Sequence, residues 1–167
     1  MDFFDVIKTR RSIRAYHPDK PIKDEQLKRI LQAARLAPTA ANRQAYKLVI
    51  IKNPKESLDF IKHKAILQAP LVITIFVDET AAWQRKFDNK NYAWVDGSIV
   101  FEHIILAATA EGLSTVWIAN EDPVAMEKAC KVPETFRFLA LTPIGYAAEK
   151  PKELTRKPES ELVTNLE

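Results

Sequence analysis

The residues of this chain best suited to holding an anion lie in the run Arg10-Arg11-Ser12-Ile13-Arg14. Arg10, Ser12 and Arg14 alternate, so an extended or turning backbone would aim two guanidinium forks and a hydroxyl at one point. Those groups suit a phosphate, which they would bind through charge-assisted hydrogen bonds. The same arginines would equally suit an exposed helix end, where the C-terminal dipole attracts cations. A second segment, APTAANRQAYKLVII at 37–51, offers Thr39, Asn42 and Gln44 from an irregular loop that Pro38 separates from the helix before it. Primary amides carry donors and acceptors together, matching the mixed polar edge of a planar heterocycle. A capped turn that satisfies its own backbone is the other reading of these residues.

Other chemistries find little support. His17, His63 and His103 are not spaced as metal ligands, and His103 falls on an apolar helix, where a core or interface histidine is expected. There is no G-x-S-x-G elbow, no H-E-x-x-H helix and no carboxylate pair that stands out. Only 3 glycines occur, so neither a dinucleotide-type G-x-G-x-x-G nor a P-loop is available, and a bound phosphate must be held by side chains. Cys130, the single cysteine, excludes an intrachain disulfide and a Cys-rich zinc site, and reads as a small packing residue in a helix from Pro123 to Lys131.

The net charge is only +3, but it is unevenly placed. Lys8, Arg10, Arg11 and Arg14 bring +4; Lys150, Lys152, Arg156 and Lys157 against Glu153 bring +3, leaving −4 for the remainder. The two basic ends either converge on one anion or stay two solvated patches. No aromatic platform accompanies them, so nucleic acid is not an expected partner. The opening MDFFDVIKTRR has early acids and no apolar h-region, so no secretory leader is expected. The apolar stretches are about a strand long, short of a bilayer span. A reducing, cytoplasmic setting without membrane contact is the expectation.

The positioning elements follow from periodicity. Asp2 can cap a helix with Phe3, Val6 and Ile7 on one face, running into the arginine segment. A second helix starts near Asp24, shows Leu27, Ile30, Leu31 and Ala34 on one face, and ends near Ala37. LVII at 48–51 predicts a strand, Glu56 to Lys64 a short helix, and the apolar, β-branched LVITIFV at 71–77 a central strand covered on both faces. Residues 79–95 hold Trp83, Phe87, Tyr92 and Trp94 in a short helix or loop, serving as a lid or as ordinary packing. The segment 96–111 predicts a helix buried on every side, with a partner subunit against one of them, and Gly112 ends it. STVWI at 114–118 and RFLALTPIGY at 137–146 predict the last strands, and about 148–167 an extended, Pro-rich arm. With long helices clustered and no linker, the chain reads as one α+β domain over 1–167.

Taken together, these segments resemble the nitroreductase family. RRSIRAY matches its R-R-S-x-R opening, APTAANRQAY its A-P-S/T-x-x-N-x-Q-P-W, AEGLSTVWIAN at 110–120 its G-L-G-T-x-W-I-G-G, and IGYAAEKPKELTRKP at 144–158 its G-Y-P-A-E-x-P-x-x-x-x-R-x-P. The resemblance covers essentially the whole chain. It implies a central mixed sheet flanked by helices, an intertwined homodimer, and FMN at each subunit boundary. Carried across by motif, Arg10, Arg11, Ser12 and Arg14 would hold the phosphate side of FMN, with Arg156 and Lys157 closing from the arm. Pro38, Thr39, Ala40, Asn42 and Gln44 would approach the ring from the partner subunit, and backbone near Trp117, Ala119 and Asn120 would lie along it. The implied reaction takes electrons from NADH or NADPH to a nitroaromatic or quinone-like acceptor by ping-pong kinetics, with no catalytic side chain. A flavin carrier or sensor with little turnover, or another family reaction such as reductive dehalogenation, are the alternatives. Ser114, Ala119-Asn120 and Ala147 stand where the family has glycine, a glycine pair and proline, and the longer helical insertion of larger members is absent.

Overall fold

The computed structural model describes residues 1–166. Its centre is the strand foreseen at 71–77, β2 (Leu71–Asp78), flanked by β1 (Tyr46–Lys52) and β4 (Phe136–Gly145), with the short β3 (Ser114–Thr115) beyond β4, in the order β1-β2-β4-β3. Side chains of β2 alternate between faces. Leu71, Ile73 and Ile75 pack with Ile30 and Ala34 of α2 (Asp24–Leu36) and with Val100, Phe101 and Ile104 of α5 (Ala93–Ala110). Val72 and Phe76 pack with Leu58, Ile61, Ile66 and Met126 on the opposite face. That second layer is supplied by α3 (Pro54–Ser57), α4 (Lys64–Gln68), α6 (Pro123–Ala129) and the turns between them. Covering both faces is what demands the unbroken apolar run of β2, and the α+β class stands.

Several expectations change in detail. The sheet expected to be mixed has antiparallel ladders throughout, with one isolated parallel bridge, Ser12 to Thr115, among the described residues. A doubly covered strand is apolar whichever way its neighbours run, so composition alone was silent on direction. The strand expected at 114–118 pairs continuously only at Ser114–Thr115, then makes a single bridge from Ile118 to Leu141. The helix expected over 56–64 divides into α3 and α4, because Leu58 and Ile61 turn inward between them. The first helix, α1 (Phe3–Thr9), is capped by Asp2, which accepts from the Phe4 and Asp5 amides, but it stops at Arg10 instead of entering the arginine run.

Two apolar faces stand open on the single chain. On α1 only Val6 is buried, leaving Phe3, Phe4 and Ile7 exposed. The helix α5 is not enclosed on every side: Trp94 and Val95 are exposed, and Ile99, Leu106 and Ala107 are half-buried. At 18 residues, α5 is long and apolar enough by composition to cross a bilayer, yet 44% of it is buried inside this fold. Residues 83–92 form a hairpin-like loop closed by Tyr92 N–H to Trp83 O (3.0 Å) and Arg85 N–H to Lys90 O (3.0 Å), with Trp83 edge-on to Tyr92. Phe87 at its tip is 97% exposed. Cys130 is half-buried at the end of α6, and burial pushes its thiol up to about 11, as suits a packing residue.

Candidate functional site

The arginine run becomes an edge strand in all but name. The ψ of 119° at Arg10 turns the chain out of α1; Ser12 and Ile13 then run beside β3, with Ile13 N–H donating to Thr115 O at 2.9 Å, and residues 15–17 run beside 146–148 just past β4. Ile13 and Tyr16 anchor this segment by packing into Ala65 and Ala69. The Tyr16 hydroxyl donates to Ile13 O at 2.7 Å, and burial, with Glu149 second, holds that phenol far above its ordinary range. With Ile13 turned inward, alternation sends Ser12 and Arg14 the other way. Arg10 and Arg11 wall a cleft of about 110 Å³ shared with Thr9, Thr109, Ser114 and Pro151. The space exceeds what a single water needs, roughly 10–15 Å³ on the same measure, so the cleft admits a phosphate-sized group. The Arg11 Nη2 group donates to Lys152 O, whereas its Nε is buried without an acceptor.

The root of the arm is tied to the same segment. Ala148 N–H donates to Ala15 O at 2.9 Å, and Arg14 N–H donates to Glu149 Oε1 at 2.6 Å. Farther out the arm departs from expectation. Arg156 donates to its neighbour Thr155 O at 3.3 Å, and Lys157 pairs with Glu161 at 3.2 Å. Neither makes a hydrogen bond to the Arg10–Arg14 segment among the described residues, and the arm over 151–166 is exposed. The two basic ends therefore meet at the root of the arm and not at Arg156 and Lys157.

The amide-bearing loop is a strained turn. Pro38 follows the end of α2, and Ala40–Asn42 make one 3-10 turn. Ala41, Asn42 and Gln44 all have positive φ, at 50°, 52° and 50°. That region is unfavourable for residues with a Cβ, so neighbouring contacts must hold it. Thr39 Oγ1 accepts from Gln44 N–H at 3.0 Å, and Asp96 Oδ1 accepts from Ala40 N–H at 3.0 Å. The side chains of Asn42 and Gln44 stay exposed. Asp96 is the residue holding this loop that sequence reasoning did not single out: an acid in the first turns of a helix is too ordinary a signal.

The third segment follows β3. Trp117 sits edge-on to Phe101 with centroids 4.6 Å apart, and Ile118 exchanges backbone hydrogen bonds with Leu141 at 3.0 and 2.9 Å. Ala119 and Asn120 come next and are exposed. Within one chain the segments do not form a single pocket. The 39–44 loop hangs from Asp96 near the start of α5, while the arginine cleft abuts Thr109 near its end. Thirteen residues of helix separate them by about 20 Å. Along the open face of α5 between them lie two apolar clefts of about 540 Å³ each, one lined by Trp94, Val95 and Ile99, the other by Phe3, His103 and Leu106.

The family model described as "Nitroreductase family" matches residues 7–60 and 53–146. A nitroreductase family protein of Clostridium difficile 630, solved as a crystal structure, superposes with a TM-score of 0.89 at 33% identity, covering 98% of each chain. One from Clostridium novyi NT gives a TM-score of 0.80 at 31% identity, covering 92% of this chain and 87% of its own. A Methanothermobacter thermautotrophicus protein, provisionally named an NADH dehydrogenase/NAD(P)H nitroreductase, is 32% identical over an alignment of 161 positions that covers 90% of this chain and 80% of that protein. With its four motifs in order and its fold shared end to end, this chain belongs to the nitroreductase family.

Proposed function

We propose that this protein is an FMN-dependent oxidoreductase that passes electrons from NADH or NADPH to an electron-poor acceptor of the nitroaromatic or quinone class. The observation that carries the reading is the phosphate-sized cleft walled by Arg10 and Arg11, where a buried guanidinium N–H lacks an acceptor. A buried donor without a partner is costly, and a phosphate oxygen would satisfy it. Arg10, Arg11, Ser12 and Arg14 would then hold the phosphate end of the cofactor. Trp117, Ala119 and Asn120 would line its ring, and Pro38, Thr39, Ala40, Asn42 and Gln44 would meet it from a second chain.

The homodimer completes this picture. A two-fold axis across the open face of α5 would set the start of one helix beside the end of the other. The 39–44 loop of one subunit would thereby reach the arginine cleft of its partner, closing the separation of about 20 Å. It would also cover Val95, Ile99 and Leu106, which stand open or half-open on one chain. Bound FMN would supply two-electron exchange, donor and acceptor visiting one face in turn, which gives ping-pong kinetics. The chain's own residues would bind and orient it, and exclude water from the ring. Arg156 and Lys157 would swing onto the phosphate only in the assembled, loaded state.

The visible spectrum of the purified protein tests the cofactor directly: flavin bands at about one FMN per chain are expected, with FMN recovered by chromatography after heat release. Recovery of FAD, or of no flavin after reconstitution, would refute the reading. Steady-state NAD(P)H oxidation with a quinone separates an enzyme from a flavin carrier.

A further inference from the structure

The geometry points to Asp96 as a positioning residue: its buried carboxylate presets the left-handed 40–44 loop that, on the reading above, meets the flavin ring. Asp96 is 3% exposed and forms part of the seat of α5 on the sheet, where its neighbour Gly97 leaves no room for a Cβ beside Val77. The carboxylate is therefore fixed by the helix rather than by the loop. Its Oδ1 accepts from Ala40 N–H at 3.0 Å, immediately before the run in which Ala41, Asn42 and Gln44 all take positive φ. The loop's other ties are internal, Asn42 N–H to Thr39 O, Arg43 N–H to Ala40 O, Gln44 N–H to Thr39 Oγ1 and Gln44 Nε2 to Asn42 O, except at its far end, where Tyr46 N–H of β1 donates to Gln44 O at 2.8 Å. A turn held only by its own hydrogen bonds can unwind as a unit. Asp96 alone links the start of this one, through a side chain, to the rigid body of the fold among the described residues.

The second oxygen, Oδ2, is buried with no hydrogen-bond partner. A carboxylate with one idle oxygen is a poor choice for stability alone, since the buried acceptor goes unsatisfied.

Arg43, exposed at the end of the turn, supplies a readout that needs no cofactor. Trypsin cuts after Arg43 only when the loop opens. In Asp96→Ala, cleavage of the flavin-free full-length protein at Arg43 should accelerate on the order of tenfold, the cost of one charge-assisted hydrogen bond. In Asp96→Asn, whose amide oxygen still accepts from Ala40, the rate should stay near that of the wild type. Ala41→Gly in the Asp96→Ala background should recover part of the loss, because glycine adopts positive φ without penalty. FMN affinity, measured by fluorescence titration, should follow the same order across the variants. Equal cleavage in wild type and Asp96→Ala, an Asp96→Asn as fast as Asp96→Ala, or acceleration spread evenly over every trypsin site would overturn the assignment. A wild type that binds no FMN would end the cofactor reading, while the cleavage rates would still decide the role of Asp96 on the loop.

Discussion

Adding one methyl group at Gly97 sets two known effects against each other at the point where α5 meets the sheet. An alanine Cβ there would lie 2.5 Å from Val77 Cγ1, with Leu139 Cδ2 next at 3.6 Å. Val77 is fully buried near the end of β2, and its branched side chain has few rotamers to retreat into. Such overpacking costs roughly 1–3 kcal/mol. Alanine in place of glycine inside a helix returns about 0.8–1.0 kcal/mol. Gly97→Ala should therefore destabilise by about 1 kcal/mol, lowering Tm by roughly 2–4 °C for a chain of this size. Thermal unfolding of the flavin-free protein at fixed protein concentration measures it, since bound ligand and self-association would each raise an apparent Tm. The Val77→Ala background should abolish the penalty. An unchanged or raised Tm in the single variant would refute the reasoning, showing that helix and strand separate at little cost. Gly112→Ala is the contrasting case: nothing lies within 4 Å of its added Cβ, and only the φ of +74° resists the change.

Arg10→Ala should weaken FMN binding about ten- to a hundredfold, from loss of roughly 1.5–3 kcal/mol of charge-assisted hydrogen bonding, with thermal unfolding of the flavin-free protein unchanged; fluorescence titration decides it. Aspartate at Val95, 40% exposed on one chain, should yield a folded monomer that has lost its flavin, seen by sedimentation at low micromolar concentration. Ile105 on the same helix is instead 3% exposed within the chain's own core, so Ile105→Asp should unfold the protein. Burial raises the Cys130 thiol to about 11 from an ordinary 9.0, which cuts its thiolate fraction at pH 8 about a hundredfold. The folded protein should thus react with a disulfide reagent far more slowly than the unfolded chain, and rapid native labelling at pH 8 would contradict the burial.

Much of this architecture was written in local pattern. The apolar run of β2 demanded cover on both faces, the Leu27, Ile30, Leu31 and Ala34 stripe placed α2 on the sheet, and Pro38 ended that helix where it was expected to end. The Arg10–Arg14 run and the 37–44 loop stood out in the sequence as candidate site segments because residue type and spacing need no partner in space to be seen. Other features were decided by contacts far apart in sequence. Strand direction was settled by connection topology, α1 stopped at Arg10 as the chain turned to join Thr115, and α5 kept an open side because this small fold has only α1 and α2 to lay across it. Asp96 belongs to the same group. Nothing in its neighbours along the chain distinguishes it from an ordinary acid near a helix start. Only folding brings Ala40, 56 residues away, within 3.0 Å of its carboxylate, and a hydrogen bond of that range has no signature in the sequence around either end.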